Sequence, residues 1–143
     1  MERFQIYLAG PVGNEPDEGM GWREKATTIF NERIESQDFK VVIIDPTKYF
    51  TYADRKDHET DKQIKDFYLS QILRSDIVFC CFDRTKMSPG TAQEVQFAVD
   101  HKIPVIGWGR DDIYPWLLVD CQIAFPSMLQ AIDYVKEFYI ERR

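Results

Sequence analysis

The sequence predicts a single three-layer α/β domain over residues 1–143, in which helices cover both faces of a parallel sheet. Two observations support this fold class. Short apolar runs, which suit strands buried on both faces, alternate with longer segments of helical periodicity. The clearest run is Ile77–Phe82, which a turn at Ser88–Gly90 separates from a helix pattern and a further apolar run. Right-handed crossovers then favour a flavodoxin-like (Rossmann-like) five-stranded sheet in the order 2-1-3-4-5.

Each element is predicted from a local pattern. The strands are short apolar runs at 4–9, 41–44, 77–82, 103–106 and 122–125. The helices, in which apolar residues recur at steps of three and four, are predicted at about 19–36, at 63–74, at 92–100 and from 126 onward. Residues 48–61 lack strong periodicity, and two interpretations stay open: a solvated connection and a flap over the site.

Composition and charge exclude several classes of protein. A net charge of −6 without a cluster of Lys and Arg argues against binding to a nucleic-acid polymer, although a local pocket for one phosphate stays open. The three cysteines have neither disulfide nor metal-site spacing, so we expect reduced core cysteines and no metal. The chain shows no signal-peptide pattern and no apolar run near the ~20 residues that span a bilayer, which predicts a cytoplasmic protein without a membrane partner.

Glu94 is the residue on which the functional prediction depends. It lies in the first turn of the helix predicted after Gly90, where loops of parallel sheets bind ligands. Gly90 lets backbone approach a ligand closely, and Thr91 suits the N-cap. With Thr91 as cap, Thr-x-x-Glu is also a capping box, so spacing alone leaves a catalytic carboxylate and a structural cap open.

Short motifs in this order resemble the nucleoside 2-deoxyribosyltransferase family. The motifs are IYLAGP at 6–11, DPT at 45–47, SDIV at 75–78, GTAQE at 90–94 and PVI at 104–106. The resemblance implies an enzyme that cleaves the N-glycosidic bond between a nucleobase and deoxyribose. It also implies no cofactor and a homo-oligomer with sites completed by a neighbouring subunit.

The same resemblance implies roles for individual residues. Glu94 is expected to attack the anomeric carbon and form a glycosyl-enzyme intermediate, which a second base or water resolves. Tyr7 is expected to help place this nucleophile. The backbone at Gly10 and Pro11, together with Gly90 and Thr91, is expected to meet the substrate.

Three positions depart from the family pattern. Ser88 stands where the transferases often carry an aspartate, and where the related nucleoside 5′-monophosphate N-glycosidases carry a phosphate-binding serine. Those hydrolases have an arginine in the glycine loop after strand one, which is absent here, and Arg23 is the candidate to replace it. Tyr68 occupies the slot of a helical aspartate. The candidate catalytic acid on this helix is Asp66, the nearest one, which lies about 200° away around the helix, so either the helix is offset or the enzyme lacks that contact.

The leading prediction is an enzyme that transfers deoxyribose from one nucleobase to another, or to water. One alternative is a nucleoside 5′-monophosphate N-glycosidase that releases free base. The other is a non-catalytic nucleotide-binding domain in which Glu94 only caps a helix. The expected partners are a deoxynucleoside or nucleotide and a free nucleobase.

Overall fold

A computed structural model gives the fold and describes residues 2–11, 20–36, 38–48, 61–82, 89–109 and 121–142. In this part of the chain a sheet of five parallel strands runs in the order β2-β1-β3-β4-β5. The strands are β1 (Glu2–Ala9), β2 (Phe39–Ile44), β3 (Ile77–Cys81), β4 (Val105–Trp108) and β5 (Ile123–Phe125). The predicted fold class and strand order are confirmed.

The helices lie between the strands in sequence. They are α1 (Met20–Ile34), α2 (Asp61–Leu73), α3 (Pro89–Asp100) and α4 (Met128–Val135). A 3₁₀ turn at Pro46–Lys48 follows β2, and a π-helical segment at Lys136–Glu141 continues α4. Ser127 caps α4, because its side-chain oxygen accepts a hydrogen bond from the Gln130 backbone N–H.

The core has two parts because successive β1 side chains point to opposite faces of the sheet. Phe4, Ile6 and Leu8 of β1 belong to a cluster with buried residues of α1 and α4. Tyr7 and Ala9 belong to the opposite cluster, with buried residues of α2 and α3. Tyr7 therefore enters the layer that contains α3, the helix of Glu94.

Two element boundaries differ from the prediction for identifiable physical reasons. Helix α3 begins at Pro89, so Thr91 lies inside the helix and is not its N-cap. Proline suits the first helical position, where its missing N–H has no intrahelical partner to lose. Strand β4 extends to Trp108, past the predicted end at Ile106, because Gly107 and Trp108 pair with the last residues of β3.

Strand β4 continues through Gly107, although a glycine usually weakens a strand. A Cβ atom at this position would lie 2.4 Å from the Phe82 ring. Glycine is therefore required by the packing of Phe82 over the strand, and it does not mark a turn.

Candidate active site

The Tyr7 hydroxyl and the Glu94 carboxylate meet between strand β1 and helix α3. Tyr7 is fully buried, and its hydroxyl donates a hydrogen bond to Glu94 Oε2. Tyr7 lies two residues before the carboxyl end of β1, in register with Ile44 of β2 and Val78 of β3. The structure thus joins two residues that are 87 positions apart in the sequence.

Burial controls the protonation of Glu94. It raises the pKa of this carboxyl from 4.5 to about 7, while the Tyr7 hydrogen bond and the Arg23 charge act in the opposite direction. Near neutral pH the carboxyl therefore exists in both protonation states. Such a pKa is typical of a carboxyl that takes part in chemistry, although structural networks also produce it.

Tyr7 keeps its proton. Burial, followed by the charge of Glu94 and their hydrogen bond, raises the phenol pKa well above its ordinary value. The hydroxyl is therefore a fixed donor to the carboxylate at physiological pH. A donor in this position stabilises the ionised form of Glu94 and restricts its orientation.

Arg23 is the largest fully buried side chain of the described residues. Its guanidinium donates to the carbonyl oxygens of Gly10 at 2.9 Å, Pro11 at 3.2 Å and Leu8 at 3.4 Å. The guanidinium carbon lies 4.6 Å from the centre of the Trp22 ring. These contacts direct the guanidinium to the protein backbone at the end of β1, and the role of Arg23 in substrate binding stays a prediction.

Asp45 extends this network to the end of β2. Its Oδ1 lies 3.9 Å from Arg23 Nε and accepts hydrogen bonds from the Thr47 N–H at 2.9 Å and the Thr47 hydroxyl at 2.6 Å. The second oxygen, Oδ2, is buried and has no hydrogen-bond partner among the described residues. A buried acceptor without a hydrogen bond is destabilising unless another group donates to it.

Gly10 connects β1 to the following segment under tight packing. Its φ is +156°, and a Cβ atom would lie 2.8 Å from the Trp22 ring and 3.1 Å from Cys81 Cβ. Pro11 is also buried. The carbonyl groups of both residues accept hydrogen bonds from Arg23.

The remaining predicted site residues are distributed differently. Asp66 is exposed and pairs with Lys62 at 2.5 Å, so the structure does not bring it to the Tyr7–Glu94 pair. Thr91 is buried within α3, whereas Gly90 is exposed near the start of that helix. Ser88 lies outside the described residues.

Tyr68 occupies the helical slot that Asp66 does not reach. Its hydroxyl donates to the Pro46 carbonyl at 3.0 Å, and its charge on ionisation raises the pKa of Tyr7. Helix α2 therefore presents a phenol toward the site, with the acid of Asp66 on its solvent side.

Sequence reasoning missed two contributors to this site, Asp45 and Trp22. Asp45 had a detectable signal, because it precedes Thr47 by two residues directly after a buried strand, which is the spacing of a side chain that accepts from the backbone two positions on. Trp22 had none, because side chains at adjacent helical positions do not ordinarily face each other, although its ring contacts Arg23 here.

Two general features of the described residues bear on the kind of site. Among them, no group of three His, Cys, Asp or Glu side chains could hold a metal ion. No helix in the same ranges has the length and apolar character to cross a membrane.

Parallel strands with a carboxylate–phenol pair near their carboxyl ends define an α/β domain of the kind that binds small ligands at this edge. The sequence profile of the nucleoside 2-deoxyribosyltransferase family matches residues 6–123, so the chain belongs to this family. The family supports an enzyme that acts on N-glycosyl bonds. No curated protein sequence matches the chain.

Solved structures share the fold at low sequence identity. A conserved protein from Enterococcus faecalis V583 has a TM-score of 0.76 at 15% identity, over 94% of this chain and 98% of that chain. A 2-deoxyribosyltransferase from Leishmania mexicana has a TM-score of 0.70 at 17% identity, over 96% and 99%. The CMP N-glycosidase BcmB from Clostridium botulinum has a TM-score of 0.57 at 13% identity, over 94% and 99%. At these identities the likeness concerns the fold.

Proposed function

We propose that the protein cleaves the N-glycosidic bond of 2′-deoxynucleosides and transfers the deoxyribosyl group to a second nucleobase or to water. The observation that carries this proposal is the hydrogen bond between Tyr7 and Glu94. Together with the family match over residues 6–123, it supports Glu94 as the nucleophile.

The alternative role of Glu94 as a helix cap has little support. A capping glutamate reaches back to the backbone N–H of the cap residue. Here the Glu94 carboxylate accepts from Tyr7 of the neighbouring strand, and α3 already begins at Pro89. The direction of this side chain favours a chemical role.

The proposed reaction has two balanced steps. In the first, the bond from the anomeric carbon to the base nitrogen breaks, the electron pair stays on the nitrogen, and a Glu94 oxygen bonds to the anomeric carbon. The leaving base receives a proton or hydrogen bond from an acid. In the second step, a base nitrogen or water attacks the same carbon, loses its proton, and Glu94 leaves as a carboxylate.

The environment of Glu94 suits both steps. Partial burial strengthens the attraction between a carboxylate and the positive charge that develops at the anomeric carbon. A pKa of about 7 leaves a sizeable ionised fraction at neutral pH. It also makes Glu94 a better nucleophile than a fully solvated carboxylate.

Product analysis tests the proposal. The protein is incubated with a deoxynucleoside, with and without a second free base, and the products are separated by chromatography. Base exchange indicates transfer, and release of one base without exchange indicates hydrolysis. Parallel incubations with 5′-monophosphates test the N-glycosidase alternative, which depends on Ser88.

The nucleophile is tested separately. Glu94→Gln should lower base release by several orders of magnitude, because the covalent path is removed. Mass spectrometry should detect a deoxyribosyl adduct on Glu94 of the parent after rapid quenching. Glu32→Gln, an exposed change on α1, is the matched control and should retain the parent rate. Base release by Glu94→Gln near the parent rate would refute the proposed mechanism.

A further inference from the structure

We propose that Arg23 is a positioning residue of this site, which holds the backbone at the end of β1, next to Tyr7, and places a fixed positive charge in the buried network that contains Glu94. The inference rests on the proposed function, because it concerns the same carboxylate. It assigns Arg23 a role through the protein and not through direct contact with substrate.

The guanidinium of Arg23 fixes the backbone that follows Tyr7. Its donors form a fork onto the carbonyl oxygens of Leu8, Gly10 and Pro11, the segment that directly follows Tyr7. The planar fork of arginine holds several acceptors in one fixed arrangement, which a lysine ammonium cannot reproduce. The position of the β1 end relative to Tyr7 is thereby fixed.

Asp45 and Trp22 hold the guanidinium itself from two further sides. Asp45 lies 3.9 Å from Arg23 Nε, and Thr47 fixes Asp45 with two hydrogen bonds. Trp22 covers the guanidinium face at 4.6 Å. A cation anchored in this way is preorganised, and it needs no reorganisation during a reaction.

The charges of Arg23 and Glu94 also stabilise each other. Burying an arginine is costly unless its charge is paired and hydrogen-bonded. Burial lowers the pKa of Arg23, and the charge of Glu94 is the largest influence that opposes this change, ahead of Asp45. Reciprocally, Arg23 lowers the pKa of Glu94 against the effect of burial.

The other titratable groups around Glu94 do not supply a positive charge. They are Tyr7 on β1, Cys80 on β3 and, acting through Tyr7, Tyr68 on α2. The Cys80 thiol is neutral because burial raises its pKa well above the ordinary value. Arg23 is the cation that these interactions identify among the described residues.

Two substitutions separate charge from geometry. Arg23→Gln keeps a side-chain donor but removes the charge, whereas Arg23→Lys keeps the charge but removes the fork. Arg33→Gln, at an exposed position of the same helix, is the matched control. Thermal unfolding and circular dichroism verify that each variant is folded.

The measurement is the titration of the Glu94 carboxyl by NMR, in protein labelled with ¹³C at the glutamate carboxyl carbon. Comparison with Glu94→Gln identifies the resonance. We expect Arg23→Gln to raise the Glu94 midpoint by on the order of one pH unit. Arg23→Lys and Arg33→Gln should leave it close to that of the parent.

The rate of base release gives the second readout. The rate should rise with pH as Glu94 ionises, and this rise should move to higher pH in Arg23→Gln. In Arg23→Lys the rise should stay in place while the plateau falls roughly tenfold or more, because the β1 end is misplaced. The control should match the parent in both respects.

The outcomes distinguish the two proposals. An unmoved Glu94 midpoint in folded Arg23→Gln overturns the role of Arg23, whatever the enzyme does. Absence of base release by the parent defeats the proposed function, and the NMR titration still decides the electrostatic role. If Arg23→Gln does not fold, Arg23→Gln/Asp45→Asn removes both charges of the pair, and the same rise in midpoint is required.

Discussion

At neutral and alkaline pH, Glu94 lowers the stability of the folded protein, because an ionised carboxyl is costly to bury. Its pKa is about 7 in the folded chain against an ordinary value of 4.5, so the folded state binds the proton more tightly than the unfolded state. The carboxyl therefore stabilises the fold below about pH 4.5, and this contribution is lost as the pH rises through 7. The full difference is on the order of 3 kcal/mol.

Glu94→Gln should remove this dependence on pH. The neutral amide carries no charge to bury, so the variant should be more stable than the parent at pH 8 by roughly 1 to 3 kcal/mol. Near pH 4.5 the difference between the two should be small. Urea unfolding at several pH values measures it, with Glu32→Gln as the exposed control. Equal stability of variant and parent at pH 8 would contradict the raised pKa of Glu94.

The sequence indicated Glu94 and Tyr7 through family motifs, because no local period connects residues 87 positions apart. The burial of Arg23 had a local signal that the prediction did not use. Arg23, Ala26, Phe30 and Ile34 are spaced by three and four residues, and all of them are buried. An arginine on the buried stripe of a helix indicates an internal charge partner, but the pattern does not identify that partner.

At the scale of elements, the junction after β1 determines whether the site forms. Gly10 passes between the Trp22 ring and Cys81, and its carbonyl accepts from Arg23. The position therefore combines a close approach of backbone and side chains with a hydrogen bond to the charge network. A side chain at this position would separate β1 from α1.

Gly10→Ala should destabilise the protein by about 1 to 3 kcal/mol, because the added Cβ meets the Trp22 ring and its backbone angle is unfavourable for alanine. Base release should fall more than tenfold at a temperature where the variant is still folded, since the β1 end shifts. Gly21→Ala, at an exposed helical position, should be neutral or stabilising. Denaturant unfolding and initial rates are the measurements. A Gly10→Ala protein with parent-like stability would show that the junction is not tightly packed.

Element boundaries show where local patterns reach their limit. The apolar run of β3 predicts that strand well, because every residue of Ile77–Cys81 is apolar and buried. Strands β1 and β2 begin two residues before their predicted starts, at Glu2 and Phe39, where polar residues interrupt the apolar pattern. The extension of β4 through Gly107 is not predictable in this way. It depends on the Phe82 ring, which fills the space of the missing side chain.

At the scale of the molecule, buried parallel strands and right-handed crossovers leave few topologies, so the strand order was predictable. The groups that complete the site were not predictable from the same patterns. Of the described residues, Tyr7 is the group that donates to Glu94, and it keeps its proton. Asp66, the acid predicted for α2, faces solvent beside Lys62.

We propose, as the family resemblance implies, that the protein is a homo-oligomer in which a neighbouring subunit helps to complete each site. Such a site disappears when the subunits separate, because the catalytic groups then belong to different molecules. The rate of base release per subunit should stay constant at high protein concentration and fall on dilution below the dissociation constant of the oligomer. Light scattering over the same concentrations measures the mass of the particle.

The two curves together decide this prediction. A fall in the rate per subunit at the concentration where the mass falls supports shared sites, and Glu94→Gln should show the same change in mass without activity. Constant activity across the dissociation would show that one subunit holds a complete site. In that case the acid must come from the same chain, and acidic residues outside the described ranges, such as Asp83, Asp111 and Asp112, become the candidates for substitution.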